Sequence, residues 1–414
     1  MRTLSFINAK AKTKELSDDI LQIGAVAKAA KAKNPDIIDA TIGALFTEDG
    51  KLYEFTTVND IIKSIPNALM YSYPPTDGGV EFKEKIKRWV FQKHYDEINV
   101  NFATSIIATP GASGAISNTL SNYVEQGETV LLPSIYWSNY NFMIHECNGV
   151  VEKYEMFEGD HFNLKAFIDA SEVVIAKQNK LITIINDPCQ NPTGYSMSPQ
   201  EWVAVVDYFN GLALRKIPVI LLYDIAYLDY ADDAYEDTRD RFQILNQLVG
   251  NTLVVITFSG SKTYSIYGLR LGAQIALSKD TQVIAEFERV SLYSARARWS
   301  CPPKTGINLV NKLMSDERLE HLFKNELIIS RKLLKSRAAI FLKEAIEAQL
   351  AIFPYRGGYF VTLPHPNPKK AFQDLIDAEI YSIPLAKGIR IAVCALPLEH
   401  ISGLAHKIKQ AFNQ

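Results

Sequence analysis

Five short segments place titratable, hydroxyl and amide side chains where apolar runs end. The first reads Phe258-Ser-Gly-Ser-Lys262, with Arg270 eight residues after the lysine. A lysine amine held in a pocket can form a Schiff base with an aldehyde. The hydroxyls of Ser259 and Ser261 and the Arg270 guanidinium suit a phosphate dianion, whose oxygens arginine binds bidentately. By itself the same stretch also reads as a surface turn with a solvated lysine. The second segment, Leu222-Tyr-Asp-Ile-Ala-Tyr227, sets Asp224 at the end of the apolar run Pro218–Tyr223. A carboxylate there is costly to bury without a cationic partner, such as a protonated pyridine nitrogen. Tyr227 is placed to donate to a phenolate oxygen. The plainer alternative is an aspartate that caps a helix.

The third segment is Asn186-Asp-Pro-Cys-Gln-Asn-Pro-Thr-Gly194. Asn191 either donates to a ring oxygen or only satisfies the backbone of a Pro/Gly turn. The fourth, Thr109-Pro-Gly-Ala-Ser-Gly-Ala-Ile116, is a Gly-rich turn into a helix. Free N–H groups at such a helix start bind anions, aided by the helix dipole. After the next strand comes Pro133-Ser-Ile-Tyr-Trp137, whose Trp137 is either core or a stacking surface for a flat ring. The fifth, Gly388-Ile-Arg-Ile-Ala-Val393, interrupts an apolar strand pattern with Arg390. That arginine needs a carboxylate, either a ligand's or that of a structural ion pair.

The elements that must position these groups alternate. Buried strands are expected at Ser105–Ala108, Thr129–Leu132, Leu181–Ile185, Pro218–Tyr223 and Leu253–Phe258. Helical patterns over Gly114–Tyr123, Leu164–Ala176 and Pro199–Phe209 lie between them. This is an α/β class, with a mainly parallel sheet covered on both faces. Ligands of such sheets sit beyond the carboxyl ends of the strands, where four of the five segments fall. The last third differs: a nearly all-helical stretch from Lys304 to Leu350 precedes strands at Tyr355–Leu363 and Ile389–Val393. It predicts a second, α+β domain, joined by an N-terminal helix over Leu16–Lys31 and bridged by a long helix over Asp316–Glu347. The expected division is a large domain over 48–311 and a small one from 1–47 and 312–414.

Taken together and in this order, the segments resemble the fold-type I aminotransferases that use pyridoxal 5'-phosphate. The aspartate/aromatic amino-acid group is the most similar. The resemblance runs from Ile42 to Val393. It implies that Lys262 is the Schiff-base lysine and proton shuttle, and that Asp224 pairs with the pyridine nitrogen. Tyr227 and Asn191 would donate to the ring oxygen. Ser259, Ser261, Arg270 and the backbone of Ala112 and Ser113 would hold the phosphate. Trp137 would stack on the ring, and Arg390 would bind the substrate α-carboxylate. Gly43, in Thr41-Ile-Gly-Ala-Leu45, resembles the family's N-terminal segment that closes over substrate. Tyr73 would reach the phosphate of the neighbouring subunit in a homodimer. Arg296, or Arg298 two residues on, would meet a distal substrate carboxylate across that interface. An L-amino acid, aspartate or aromatic, and 2-oxoglutarate are then the partners of a ping-pong exchange. Two departures stand out: Ala112-Ser113 replaces the family's usual Gly-Thr, and Tyr140 stands where many relatives carry a histidine.

A carbon–sulfur lyase on the same scaffold is the rival within the family, and a catalytically silent regulator the rival outside it. The pairing of Arg390 with Arg296 argues against the first, and the lack of spare length for a DNA-binding module against the second. Composition sets the remaining bounds. The 414 residues are 47% apolar and 22% charged, which excludes disorder as the main state. With 44 basic and 46 acidic residues the net charge is −2, so no basic field draws nucleic acid. Cys147, Cys189, Cys301 and Cys394 show no metal or disulfide spacing and fit a reducing compartment. No run approaches the ~18 apolar residues of a membrane span, and the expected location is the cytoplasm.

Overall fold

The computed structural model describes residues 6–8, 10–15, 20–231, 234–250 and 252–413. Seven strands form the central sheet: β1 (Ala103–Pro110), β2 (Thr129–Pro133), β3 (Val150–Tyr154), β4 (Leu181–Asn186), β5 (Val219–Asp224), β6 (Thr252–Ser259) and β7 (Leu271–Ser278). Their order is β1-β7-β6-β5-β4-β2-β3, and β7 alone runs antiparallel to its neighbours. β4, β5 and β6 are buried along their whole length, as expected for strands with helices on both faces. Ile182, Ile184, Ile220 and Leu222 pack with Ile116 and Leu120 of the helix Gly111–Tyr123. Leu181, Ile185, Leu221 and Tyr223 belong to the other core, with Trp202, Val205 and Phe209 of the helix Pro199–Leu214. That helix starts where its sequence says it should. Ser198 and Glu201 form a reciprocal capping box, and Pro199 takes the first turn.

The five expected strands are all present. β3 and the antiparallel β7 come in addition. β7 matters for function, because its reversed direction puts its amino end, and Arg270 just before it, beside the carboxyl ends of β1 and β6. Gly272 lies opposite both Thr109 and Ser259.

The C-terminal part carries a three-stranded antiparallel sheet, ordered Val361–Pro364, Gly388–Ile391, Ile383–Leu385. Ile38–Asp39 pairs with Ile380–Tyr381 nearby. Two expectations need correction. The strand expected over Tyr355–Leu363 starts only at Val361, because Gly357 (φ 141°) and Gly358 (φ 87°) turn the chain out of the extended region. The last strand ends at Ile391, and Val393–Ala395 is a 3-10 turn. The N-terminal helix is Ile20–Lys31; Leu16, where it was expected to begin, lies outside the described residues. The long helix runs over Glu317–Glu347 with Asp316 as its N-cap. Its Arg337 is fully buried and donates to the Cys394 carbonyl at 2.9 Å and to Glu48. Among the described residues, no helix is long and apolar enough to cross a membrane.

Candidate active site

The carboxyl ends of β1, β2, β4, β5 and β6 and the start of β7 open into one cavity of about 490 Å³. Its lining includes Gly43, Ala112, Ser113, Trp137, Asn191, Asp224, Tyr227, Ser259, Ser261, Lys262, Arg270 and Arg390. Residues nearly 350 positions apart in sequence thus meet as the motifs anticipated.

At the floor, Asp224 is 3% exposed. Tyr140 donates to its Oδ2 at 2.6 Å and the Ala226 N–H to its Oδ1 at 3.1 Å. Burial raises the acid's pKa above the usual carboxylate range, while Tyr140, Ala226 and the nearby Lys262 pull it back down. Tyr140 occupies the place where the resemblance led one to expect a histidine, and a phenol makes the contact instead. Burial lifts that phenol well above its ordinary pKa, so it stays a donor.

At one end, the helix Gly111–Tyr123 begins with no side-chain cap, leaving N–H groups at Ala112 and Ser113 for a ligand. Arg270 adopts a left-handed backbone (φ 53°) and donates to Ser261 Oγ at 3.2 Å. A Cβ on Gly111 would collide with the Arg270 guanidinium, so the glycine lets the cation lie against the helix start. Two serine hydroxyls, a guanidinium and a helix N-terminus make a cradle for a dianion.

Between the floor and this cradle stands Lys262. Its ammonium pKa is lowered to about 8, chiefly by burial, and Asp224 opposes that shift. A substantial fraction of neutral amine is therefore present near neutral pH, as a nucleophile toward an aldehyde requires.

Arg390 closes the opposite end. It sits in the short sheet, opposite Thr362 and Ile383. Its Nη1 donates to Asn191 Oδ1 at 3.3 Å and its Nη2 to the Thr41 carbonyl at 2.8 Å. Its Nε is buried without a hydrogen-bond partner among the described residues. Burial lowers its pKa to about 10, which still leaves it cationic at neutral pH. Among the described residues no carboxylate pairs with it, so the structural ion pair offered as its alternative is not formed there.

Four lining residues went unassigned from sequence: Asn139, Asn186, Ala226 and Phe360. Asn186 accepts from the Asn191 N–H at 2.7 Å and donates to the Asp224 carbonyl at 2.9 Å, locking two strand-end loops together. Its place at the head of the Asn186–Gly194 segment was the available signal. Phe360 lies under the Arg390 guanidinium at 4.2 Å, and a Cβ on Gly43 would strike its ring. Asn191 reaches Tyr227 only at a long 3.5 Å.

Two expected site residues lie outside the cavity. Tyr73 is 88% exposed. Arg296 ends the helix Thr281–Arg298 and donates to Ser300 Oγ at 2.8 Å. Thr76 donates to the Ser300 carbonyl at 3.2 Å, so the Tyr73 loop and the Arg296 helix end adjoin on the surface. Arg298 is bound to Ser117 of its own chain, at 2.9 Å to the hydroxyl.

The donor set fits pyridoxal phosphate. It offers a buried lysine whose pKa is lowered to about 8, a dianion cradle, and a buried carboxylate that would pair with a ring nitrogen. The unpartnered Arg390 Nε leaves a donor for a substrate carboxylate. An aminotransferase of Anaerococcus prevotii is 30% identical, with 99% of this chain and 100% of that one covered and a TM-score of 0.94. The cytoplasmic aspartate aminotransferase of Caenorhabditis elegans is 22% identical over 91% of each chain. An aromatic-amino-acid aminotransferase of Burkholderia pseudomallei, solved covalently bound to pyridoxal phosphate, shares the fold at 18% identity, with 98% and 100% coverage and a TM-score of 0.79. The family model for aminotransferase class I and II matches residues 48–408. The chain belongs to that family of pyridoxal phosphate-dependent transaminases.

Proposed function

We propose that the protein moves an amino group from an L-amino acid, aspartate or aromatic, to 2-oxoglutarate by a ping-pong exchange. The observation that carries this reading is one cavity holding the Lys262 amine between Asp224 and the dianion cradle, with Arg390 at the far end. Pyridoxal phosphate supplies an aldehyde and an electron-accepting ring. Asp224 holds a proton on the ring side by opposite charge. Ser259, Ser261, Arg270 and the amides of Ala112 and Ser113 anchor the phosphate, and Trp137 covers the ring. Arg390 takes the substrate α-carboxylate and so orients its Cα–H toward Lys262. Once freed by the substrate amine, the Lys262 amine would take the Cα proton and hand it to the cofactor's imine carbon. Asn191 and Tyr227 donate to the ring oxygen.

Arg296 would meet the distal carboxylate of 2-oxoglutarate, and Tyr73 the phosphate, in the site of a second copy. Both are exposed in the single chain, beside Leu69, Tyr71 and Tyr293, which are 52%, 78% and 79% exposed. Large exposed apolar groups on the chain stretch that holds Tyr73 and on the helix that holds Arg296 favour a homodimer there. The bound cofactor gives a visible band, and the half-reactions test the reading. Aspartate, glutamate, tyrosine, phenylalanine, kynurenine and alanine are added singly to the holoenzyme. Bleaching of the band by glutamate, and by aspartate or an aromatic acid, is expected, with 2-oxoglutarate restoring it. A band that no amino donor bleaches would overturn the proposal. Release of pyruvate and ammonia without a stable bleached form would favour the lyase.

A further inference from the structure

Lys262 stands on a helix of only four residues, Gly260–Thr263, which no side chain caps. One helical turn does not hold itself in water, because nucleation is unfavourable and few bonds follow it. β6 ends at Ser259, so the sheet ladder does not fix the lysine either. Tertiary contacts must set its position.

Thr263, next to the lysine, is buried and donates to Asp229 Oδ2 at 2.6 Å. The other carboxylate oxygen accepts from Arg239 Nη2 at 2.5 Å. The Asp229 and Arg239 side chains are 1% and 0% exposed. Arg239 donates onward to Thr238 Oγ1 at 2.7 Å. Asp229 lies five residues after Asp224, in the 3-10 turn Leu228–Tyr230. Arg331 of the long helix donates to its backbone carbonyl. A fully buried ion pair is a poor source of stability, since apolar side chains of similar volume serve as well or better. What this pair does supply is a fixed acceptor between two loops that the sheet leaves unjoined.

The geometry points to Thr263 and Asp229 as a positioning pair: Asp229, held by Arg239, pins the turn bearing Lys262 to the loop bearing Asp224 and Tyr227, and so sets where the lysine amine stands. This rests on the reading of Lys262 as the cofactor lysine.

Thr263→Val keeps the shape and removes only the donor. In the holoenzyme, kcat should fall about tenfold or more while KM for the amino donor stays within about twofold, as for a misplaced reacting group. The pH at which the visible band titrates should move by about half a unit or more, because the distance between Lys262 and Asp224 changes. Thr263→Ser should restore both. A Thr263→Val enzyme that melts lower but keeps its kcat and band titration would reduce the bond to a structural one and overturn the inference. If Thr263→Val does not accumulate folded, Thr263→Cys, a feeble donor of similar size, is read against the same two outcomes. Borohydride reduction and peptide mapping of the parent enzyme separate the two claims. A label away from Lys262 would sink the reading of the site, whereas a label on Lys262 with an unmoved variant sinks only the positioning pair.

Discussion

The two ends of the cavity are built differently. At the cofactor end, Asp224 and Asn186 are the last residues of β5 and β4 and lie opposite each other in register. Lys262 follows β6 within three residues, on a turn tied to the loop after β5 by the Thr263–Asp229 bond. At the substrate end, Arg390 belongs to a separate three-stranded sheet, and Tyr73 and Arg296 lie on exposed surface outside the cavity. The difference teaches where each property resides. On the proposed reading, chemistry common to every substrate would sit at the ends of the large sheet, and discrimination between substrates would be assembled from independent pieces. Substitutions at the first end should act on all donors alike. Substitutions at the second should act on some, apart from Arg390, which would meet the α-carboxylate that every donor carries.

The largest effect is expected for Lys262→Ala. Turnover should drop at least about 10³-fold for every amino donor, and the visible band of the holoenzyme should be lost. Full activity in that variant would break the comparison at its root. The same lysine gives a pH test on cofactor-free protein. Its ammonium pKa of about 8 means that the nucleophilic neutral fraction rises about tenfold per pH unit below 8 and levels off above it. Stopped-flow mixing with pyridoxal phosphate should show that rise and plateau in the uptake rate.

Next comes Arg390→Ala. Truncating a buried charge that binds a carboxylate costs about 2–5 kcal/mol, or about 30- to 4,000-fold in kcat/KM. The loss should appear with every donor, since all share the α-carboxylate. Arg296→Ala should be smaller and selective, about tenfold in the Michaelis constant for 2-oxoglutarate, from one lost charge-assisted contact. An aromatic donor should hardly notice it. Steady-state kinetics on both substrates would show whether discrimination sits at this end; a uniform loss would erase the distinction.

The same contrast governs what the sequence made legible. The cofactor end was readable because each of its groups breaks a local rule. Asp224 ends a run of buried apolar residues, and Asn191 sits in a Pro/Gly turn directly after a strand; at the substrate end only Arg390, which interrupts an apolar run, stands out in the same way. Apolar runs also located β2, β4, β5 and β6 to within a residue or two. β7 was missed although it is equally apolar: direction is set by tertiary pairing, which periodicity does not encode. The strand expected from Tyr355 failed because two glycines at positive φ break the extended run. Asn186 and Phe360 were passed over for a different reason. Asn186 touches only backbone and amide groups of neighbouring loops, and Phe360 lies among ordinary aromatic residues, so neither departs from its local pattern. The Thr263–Asp229 contact joins residues 34 apart in two loops, and nothing in either loop announces the other.

Tyr140 gives the smallest effect and the sharpest one for the cofactor end. Its hydroxyl donates to the Asp224 carboxylate, as does the Ala226 amide. A donor favours the ionised acid, so removing it must raise a pKa that burial has already raised. Tyr140→Phe should therefore leave turnover near the pH optimum within a few-fold while moving the acid limb of the kcat profile upward. A hydrogen bond to a charged group is worth about 1.5–3 kcal/mol, which converts to about one to two pH units. The basic limb, set on the lysine side, should stay where it is. The ring that phenylalanine retains still packs edge-on against Trp137 at 5.4 Å, so a change confined to the acid limb reports the lost hydroxyl and not a disturbed stack. If both limbs shift together, or neither does, Tyr140 does not tune Asp224.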